Sequence, residues 1–414
     1  MLKTVARDSL ARNSVLIMAS TAGTAGLGYL YWLLAARELA QASIGTATAL
    51  ISVSAVVSMV SNLGLGHMFI QRLPGAGVGE WSRIVSAGLL LGCGLTAVVS
   101  FAAGLALPSV AGHFAFLRDP SALAALVLAS VALTASTLLD NVFVAHRASH
   151  GMLTRNLALA GGKVGTLAVL TWAGYGGAGV VLLAWTLPSV AVTAYTLGTS
   201  LPRLQPGARL GAAGIGDELM HIHGSLRGHH LINLAQAGPT ALLPVLVTAR
   251  LGAEANGHFY VAWMTASMLF MVSPAVASAF YAERTNAAPA GLPRAAAVVL
   301  AVTGPPALLL FLAGDWILGL FSAGFAAEGG LLLKILVLAA VPDAITNLAV
   351  AHWRSLGRFR RCLRLNLLMA TICLTLTWLW LPGTGIEAAG IAWLAGQSVG
   401  AVVVAVRSLW RRGA

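Results

Sequence analysis

From residue 14 to residue 407 the chain is a succession of apolar runs about 20 residues long, separated by short stretches that carry most of its arginines. A run of that length crosses a bilayer as a helix. A strand of a membrane barrel needs about ten residues and alternates in polarity, and no such alternation is present. The runs fall at roughly 14–36, 44–66, 84–107, 121–143, 154–173, 176–198, 229–249, 257–280, 295–313, 331–350, 364–381 and 386–407, with turn signals such as "LPGAGVG", "RDPS" and "AGYGGAG" between them. Only 9% of the 414 residues are charged, against about 25% in a soluble domain, so the chain cannot cover a water-facing surface. The fold class expected is all-α: a polytopic membrane protein of about twelve transmembrane helices.

The formal charge of +12 is a topology signal. With the N-terminus in the cytoplasm, twenty Lys and Arg collect on the cytoplasmic side, and only Arg37, Arg118 and Arg250 on the other. The two remaining cations, Lys163 and Lys334, lie within predicted spans. Anionic lipid is a sufficient partner for so basic a face, and nucleic acid is not needed. The expected location is the bacterial cytoplasmic (inner) membrane with both termini cytoplasmic. The N-terminal run is too long for a usual signal peptide and reads as the first helix.

The chain also echoes itself at an offset of 212 residues: "SMVSNLGLGHMFIQRL" at 58–73 aligns with "FMVSPAVASAFYAERT" at 270–285. Arg72 and Arg284 fall in register, as do Ala25-Gly26 with Ala237-Gly238, Leu34 with Leu246, Leu39 with Leu251, and Gly45 with Gly257. Six crossings separate the copies, so the repeat is parallel, with its pseudo-twofold along the membrane normal. The expected organisation is a six-helix lobe over 1–200, a cytoplasmic linker over 201–226 and a second six-helix lobe over 227–414. Between two such lobes a cleft is expected that can open to either side.

The stretch "LLAARELAQASIGTATALISVSAVVSMVSNLGLGHMFIQRLP" at 33–74, with Ala36-Arg37, Ile44-Gly45, Asn62-Leu63-Gly64 and Arg72, resembles the first hairpin of Wzx-like O-antigen translocases. These polysaccharide transporters belong to the multidrug/oligosaccharidyl-lipid/polysaccharide exporter (MOP) superfamily. Leu251-Gly252-Ala253-Glu254 and Gly257 match the same loop in the second half, whereas Ala40 departs from the family's usual glycine. The resemblance implies a flippase moving a lipid-linked (undecaprenyl-pyrophosphate type) oligosaccharide to the outer leaflet by alternating access, for lipopolysaccharide O-antigen or other polysaccharide export. It further implies a polysaccharide polymerase or glycosyltransferase as partner, H+ or Na+ as a possible coupling ion, no cofactor and no enzymatic activity. A cation-coupled multidrug exporter of the same superfamily is the alternative, though such relatives often carry an acidic residue in the first helix and residues 9–37 have none. An integral-membrane glycosyltransferase or polymerase is less suited, because the outer loops are short. No Gly-Lys-Ser/Thr phosphate loop is present for ATP hydrolysis.

A pyrophosphate head crossing hydrocarbon requires cations, and a charge at the bilayer centre costs at least about 2.5 kcal/mol. Lys163, in the glycine-rich "LALAGGKVGTLAVL", is the leading candidate for contacting it; its bland reading is a pair with Asp140 on the preceding helix. Arg37 and Arg250 at outer hairpin ends, and Arg72 and Arg284 at cytoplasmic ones, are further candidates for substrate binding. Asp343, after Pro342 in the tenth span, is a candidate for charge pairing or ion coupling, and Lys334 reads as a snorkelling lysine. Asn13, Asn156 and Asn366 read as helix caps. His221, His223, His229 and His230 lack a partner set for metal and read as an interfacial segment. Cys93 and Cys373 read as buried apolar residues, and Cys362 as a loop thiol.

Overall fold

The computed structural model describes residues 9–211, 226–272 and 292–409, and among these every regular element is helical. The chain divides into an N-terminal unit, Met1–His230, and a C-terminal unit, Leu231–Ala414. In the first, long helices α1 (Ser9–Glu38), α2 (Gln41–Ser61), α4 (Val78–Val110), α5 (Pro120–Ala145), α6 (Ser149–Trp172) and α7 (Ala178–Tyr195) follow one another. Short α3 (Leu65–Arg72) continues α2, and a π-turn at Thr196–Ser200 leads from α7 into α8 (Leu201–Leu204). The second unit contains α9 (Leu226–Leu251, which begins just before the boundary), α10 (Ala253–Phe270), α11 (Leu292–Gly319), α12 (Ala323–Ser355), α13 (Phe359–Thr384) and α14 (Glu387–Leu409). Each of the twelve expected spans overlaps a long helix, the second as far as Ser61 and the eighth as far as Phe270, and the chain is a multi-pass membrane protein. Nine helical segments among the described residues are long and apolar enough to cross a membrane on those grounds alone.

The three long helices outside that group, α1, α6 and α10, are diluted by polar residues. Helix α1 has Ser20, Thr21, Thr24 and several glycines; α6 has Arg155, Asn156 and Lys163; α10 has Glu254, Asn256 and His258. Helices α1 and α6 pack along one another, and α10 packs on α12, so their polar groups have protein neighbours. A hydrocarbon medium gives no hydrophobic drive between helices, and close packing with internal hydrogen bonds replaces it. Thr134 on α5 donates to Ser58 on α2 at 2.9 Å and shares a second bond of 2.9 Å with Thr96 on α4, tying three helices together. Gly92 on α4 lets Leu138 approach so closely that a Cβ there would lie 2.8 Å from the leucine methyl.

The second span differs from its expected course. Helix α2 stops at Ser61, and Leu63 (φ 49°) with Gly64 (φ 79°) forms a left-handed turn that redirects the chain into α3. That turn delivers Leu65, Met68 and Phe69 to a core shared with Trp81, Ile84, Leu138 and Leu139. The Asn62-Leu63-Gly64 triplet is therefore the break between two helices. Its counterpart in the second copy lies outside the described residues, as does most of the expected linker. The described part of the linker, up to Gly211, runs along α4, where the amides of Arg209 and Gly211 donate to Ser82 and Ser86 at 3.1 Å.

Several local expectations are corrected by helix starts that lie earlier than the apolar runs suggest. Asn13, Asn156 and Asn366 sit inside α1, α6 and α13, so they cap nothing. Cys362 is a buried helical residue, not a loop thiol, and packs with Val350, Trp353 and Leu365. Lys334 does not merely snorkel: its Nζ is 2.7 Å from Asp315 Oδ2 on α11. Asp119, within the "RDPS" turn signal, caps α5 by accepting from the Ser121 amide at 2.9 Å.

Candidate functional site

In the N-terminal unit, α6 presents its charges at two levels. Near its start Arg155, 6% exposed, donates to Asp140 Oδ1 at 2.6 Å, to Asn156 Oδ1 at 3.1 Å and to the Ser136 carbonyl at 3.2 Å, and also bonds the Ser136 hydroxyl. Asn156 in turn donates to Ser20 Oγ on α1 at 3.3 Å. The carboxylate of Asp140 is thus taken by Arg155 and does not pair with Lys163. The signal available in the sequence was spacing: Asp140 and Arg155 flank one tight turn, and both fall within the first two turns of it.

Two turns further along, Lys163 lies with its Nζ 3.3 Å from the centroid of the Trp185 ring on α7. Among the described residues no carboxylate pairs with it. Gly162 beside it allows α7 to come near, since a Cβ there would stand 3.0 Å from Pro188. Trp185 is braced by Tyr31 and Trp32 of α1, with centroids 5.5 and 6.0 Å away, and Tyr31 donates to the Val181 carbonyl at 2.7 Å. A cation over an indole face gains about 0.5–2 kcal/mol, less than a buried ion pair supplies, so an arriving anion can compete for this ammonium. The aromatic partner was not foreseen; Trp185 lies mid-run in α7, where the sequence reads it as packing.

The four arginine candidates are not brought together. Arg37 is exposed in the last turn of α1, where its charge suits the helix dipole. Arg250 ends α9 with its guanidinium carbon 4.3 Å from the Trp378 ring centroid. Arg72 ends α3 and approaches Glu80 at 3.8 Å. Arg284 lies outside the described residues.

The C-terminal unit contains a cavity of about 270 Å³ among α9, α10, α12, α13 and α14. Asp343, 5% exposed, lines it and accepts from Asn347 Nδ2 at 2.9 Å, while Thr346 donates to Gln397 Oε1 at 2.8 Å. Helix α12 runs through Pro342 without interruption.

The fold is that of solved transporters of the MOP superfamily. The chain superposes on the lipid II flippase MurJ in an inward closed conformation with a TM-score of 0.75 at 12% identity, covering 95% of this chain and 87% of that one. It superposes on an inward-facing multidrug resistance MATE family transporter of that superfamily with a TM-score of 0.63 at 16% identity, covering 94% of each. A MOP superfamily transporter from Pyrococcus furiosus, described as having a binding pocket of reversed polarity, gives 0.57 at 14% identity over 97% of this chain and 95% of that one. Neither a protein-family model nor a curated protein sequence matches the chain.

Proposed function

We propose that the chain is a flippase that carries a lipid-linked oligosaccharide, of the undecaprenyl-pyrophosphate type, from the cytoplasmic to the outer leaflet of the bacterial inner membrane by alternating access, for polysaccharide synthesis and export. The observation that carries this reading is Lys163: a cation on a membrane-spanning helix, held by an aromatic face instead of a carboxylate. A pyrophosphate outbids the indole, whereas a cationic drug is repelled. Arg37, Arg72, Arg250 and Arg284 serve as outer and inner contacts for the same head group, and polymerase or glycosyltransferase partners receive the product. The likeness in fold to a lipid II flippase agrees with this class of substrate.

The test is deletion of the gene, with undecaprenyl-linked sugar expected to accumulate on the inner leaflet. Complementation with Lys163→Ala should leave protein level normal and fail to clear the accumulated lipid. Clearance at the wild-type rate would make Lys163 structural.

A second reading, a cation-coupled exporter, draws on Asp343, a carboxylate buried within a spanning segment. Export that collapses with Asp343→Asn and with dissipation of an ion gradient, while undecaprenyl-linked sugar stays at its normal level, would favour it.

A further inference from the structure

The cavity of the C-terminal unit contains two buried donors that the described residues leave unmet. Asn366, 3% exposed, and Trp393, 6% exposed, both line it, and among the described residues neither Asn366 Nδ2 nor Trp393 Nε1 has a hydrogen-bond partner. A buried polar group without a partner costs about 1–3 kcal/mol, so two around one space are expensive unless something fills it. The same space has acceptors, the Asp343 carboxylate and Gln397 Oε1. One part of its wall is aromatic: Trp263 and Trp393 meet edge to face at 5.2 Å, and Phe270 lies 5.8 Å from Trp393.

These observations discriminate between occupants. A phosphate would face the Asp343 carboxylate. A bare metal cation would suit Asp343 but leave the indole and amide N–H groups facing a positive charge. A hydroxyl both donates and accepts, and the C–H face of a sugar ring packs on an indole. The volume of about 270 Å³ lies just below the roughly 300–1,000 Å³ of drug-sized pockets, too small for an oligosaccharide and suited to one ring.

We infer that this cavity is a carbohydrate subsite that takes one uncharged sugar ring through Asn366, Trp393, Asp343 and Gln397. The inference rests on the flippase reading only for what delivers the sugar. Met271, 42% exposed, also lines the cavity.

The test titrates the purified full-length chain in detergent with glucose, N-acetylglucosamine, rhamnose, glucuronate and, separately, sodium chloride, read by calorimetry. At least one of the three neutral sugars should bind saturably in the millimolar range, and glucuronate should not. Trp393→Phe keeps the ring and removes the donor, and Asn366→Leu removes the amide. Each should weaken sugar binding about tenfold, one hydrogen bond's worth. Because Asn366→Leu also removes an unmet polar group, its thermal midpoint should hold or rise, which separates lost binding from lost folding. Three results would overturn the subsite: no saturable binding of any neutral sugar, binding unaltered in both variants, or binding of sodium alone that Asp343→Asn abolishes. Sugar binding without accumulation of undecaprenyl-linked sugar on gene deletion would sink the flippase reading alone; accumulation without sugar binding would sink the subsite alone.

Discussion

At the scale of single residues, the polar groups of the N-terminal unit are held by specific partners whose removal is measurable. The indole N–H of Trp81 donates to His146 Nε2 at 2.7 Å. Indole only donates, so that nitrogen must be free of a proton, and burial further lowers the pKa of this half-buried, interhelical histidine from its ordinary 6.5. The unfolded chain then takes up its proton at a higher pH than the folded chain does. Stability is unaffected well above pH 6.5, and it falls as pH drops through that value toward the lower folded pKa. Thermal midpoints between pH 7.5 and pH 5 should therefore fall more steeply for the wild type than for His146→Gln, whose side-chain oxygen can accept from Trp81 at any pH. Equal slopes would remove His146 as a cause. The Arg155–Asp140 pair makes a second case. Arg155 has a side chain only 4% exposed, so Asp140→Ala strands it at a cost of roughly 3 kcal/mol, the lower end for a buried pair because Asp140 itself is 32% exposed. Arg155→Ala should cost a similar amount and the double variant less than the sum, as read by denaturant unfolding in detergent. Of these residues the sequence disclosed Lys163, Asp140 and Asp343 as charges out of place in apolar runs. It could not disclose Trp185, Trp81 or Asn366, because a tryptophan or an amide inside a helix looks the same whether or not its N–H has a partner.

Helices are where sequence and structure agree most closely, since a span is fixed by the thickness of hydrocarbon and by the need to satisfy every backbone group within one segment. Helix boundaries follow hydropathy less closely. Helices α4 and α12 begin and end several residues beyond their apolar runs, at 78–110 and 323–355, because a helix continues through the polar head-group layer where hydropathy no longer marks it. The break after α2 leaves no mark in hydropathy for a different reason: Leu63 is an ordinary apolar residue in composition and an unusual one in conformation, with φ 49°. Glycine at 64 accepts φ 79° without strain, and an L side chain there costs about 1 kcal/mol. Gly64→Ala should lower stability by that amount, whereas Leu63→Gly should cost less than an ordinary Leu→Gly change, because relief of the left-handed backbone offsets the lost side chain. If Gly64→Ala leaves the unfolding midpoint unmoved, the turn is not what sets the direction of α3.

For the molecule as a whole, the connections alternate in charge in a way that only the membrane explains. The turns after α3, α5 and α12 contain or adjoin Arg72, Arg83, Arg147, Arg155, Arg354, Arg358, Arg360, Arg361 and Arg364, and the segment after α8 has Arg209. The intervening connections contain or adjoin little: Arg37 in the last turn of α1, Arg118 after α4, Arg250 in the last turn of α9, and neither Lys nor Arg between α6 and α7 or between α13 and α14. Each Lys or Arg near an anionic cytoplasmic leaflet gains about 1 kcal/mol, so the orientation expected is the one with the Arg-rich connections in the cytoplasm. Twelve crossings, an even number, return the chain to the side on which it began. A fluorescent reporter fused after Ala414 should therefore fluoresce in the cytoplasm, and a periplasmic phosphatase inserted at the α6–α7 turn, near Gly176, should be active outside. The same phosphatase at the α12–α13 turn, near Gly357, should be silent. An active phosphatase at Ala414 would mean an odd number of crossings. One of the less apolar helices, α1, α6 or α10, would then not span, and if that helix were α6, Lys163 would lose the membrane setting on which its proposed role depends.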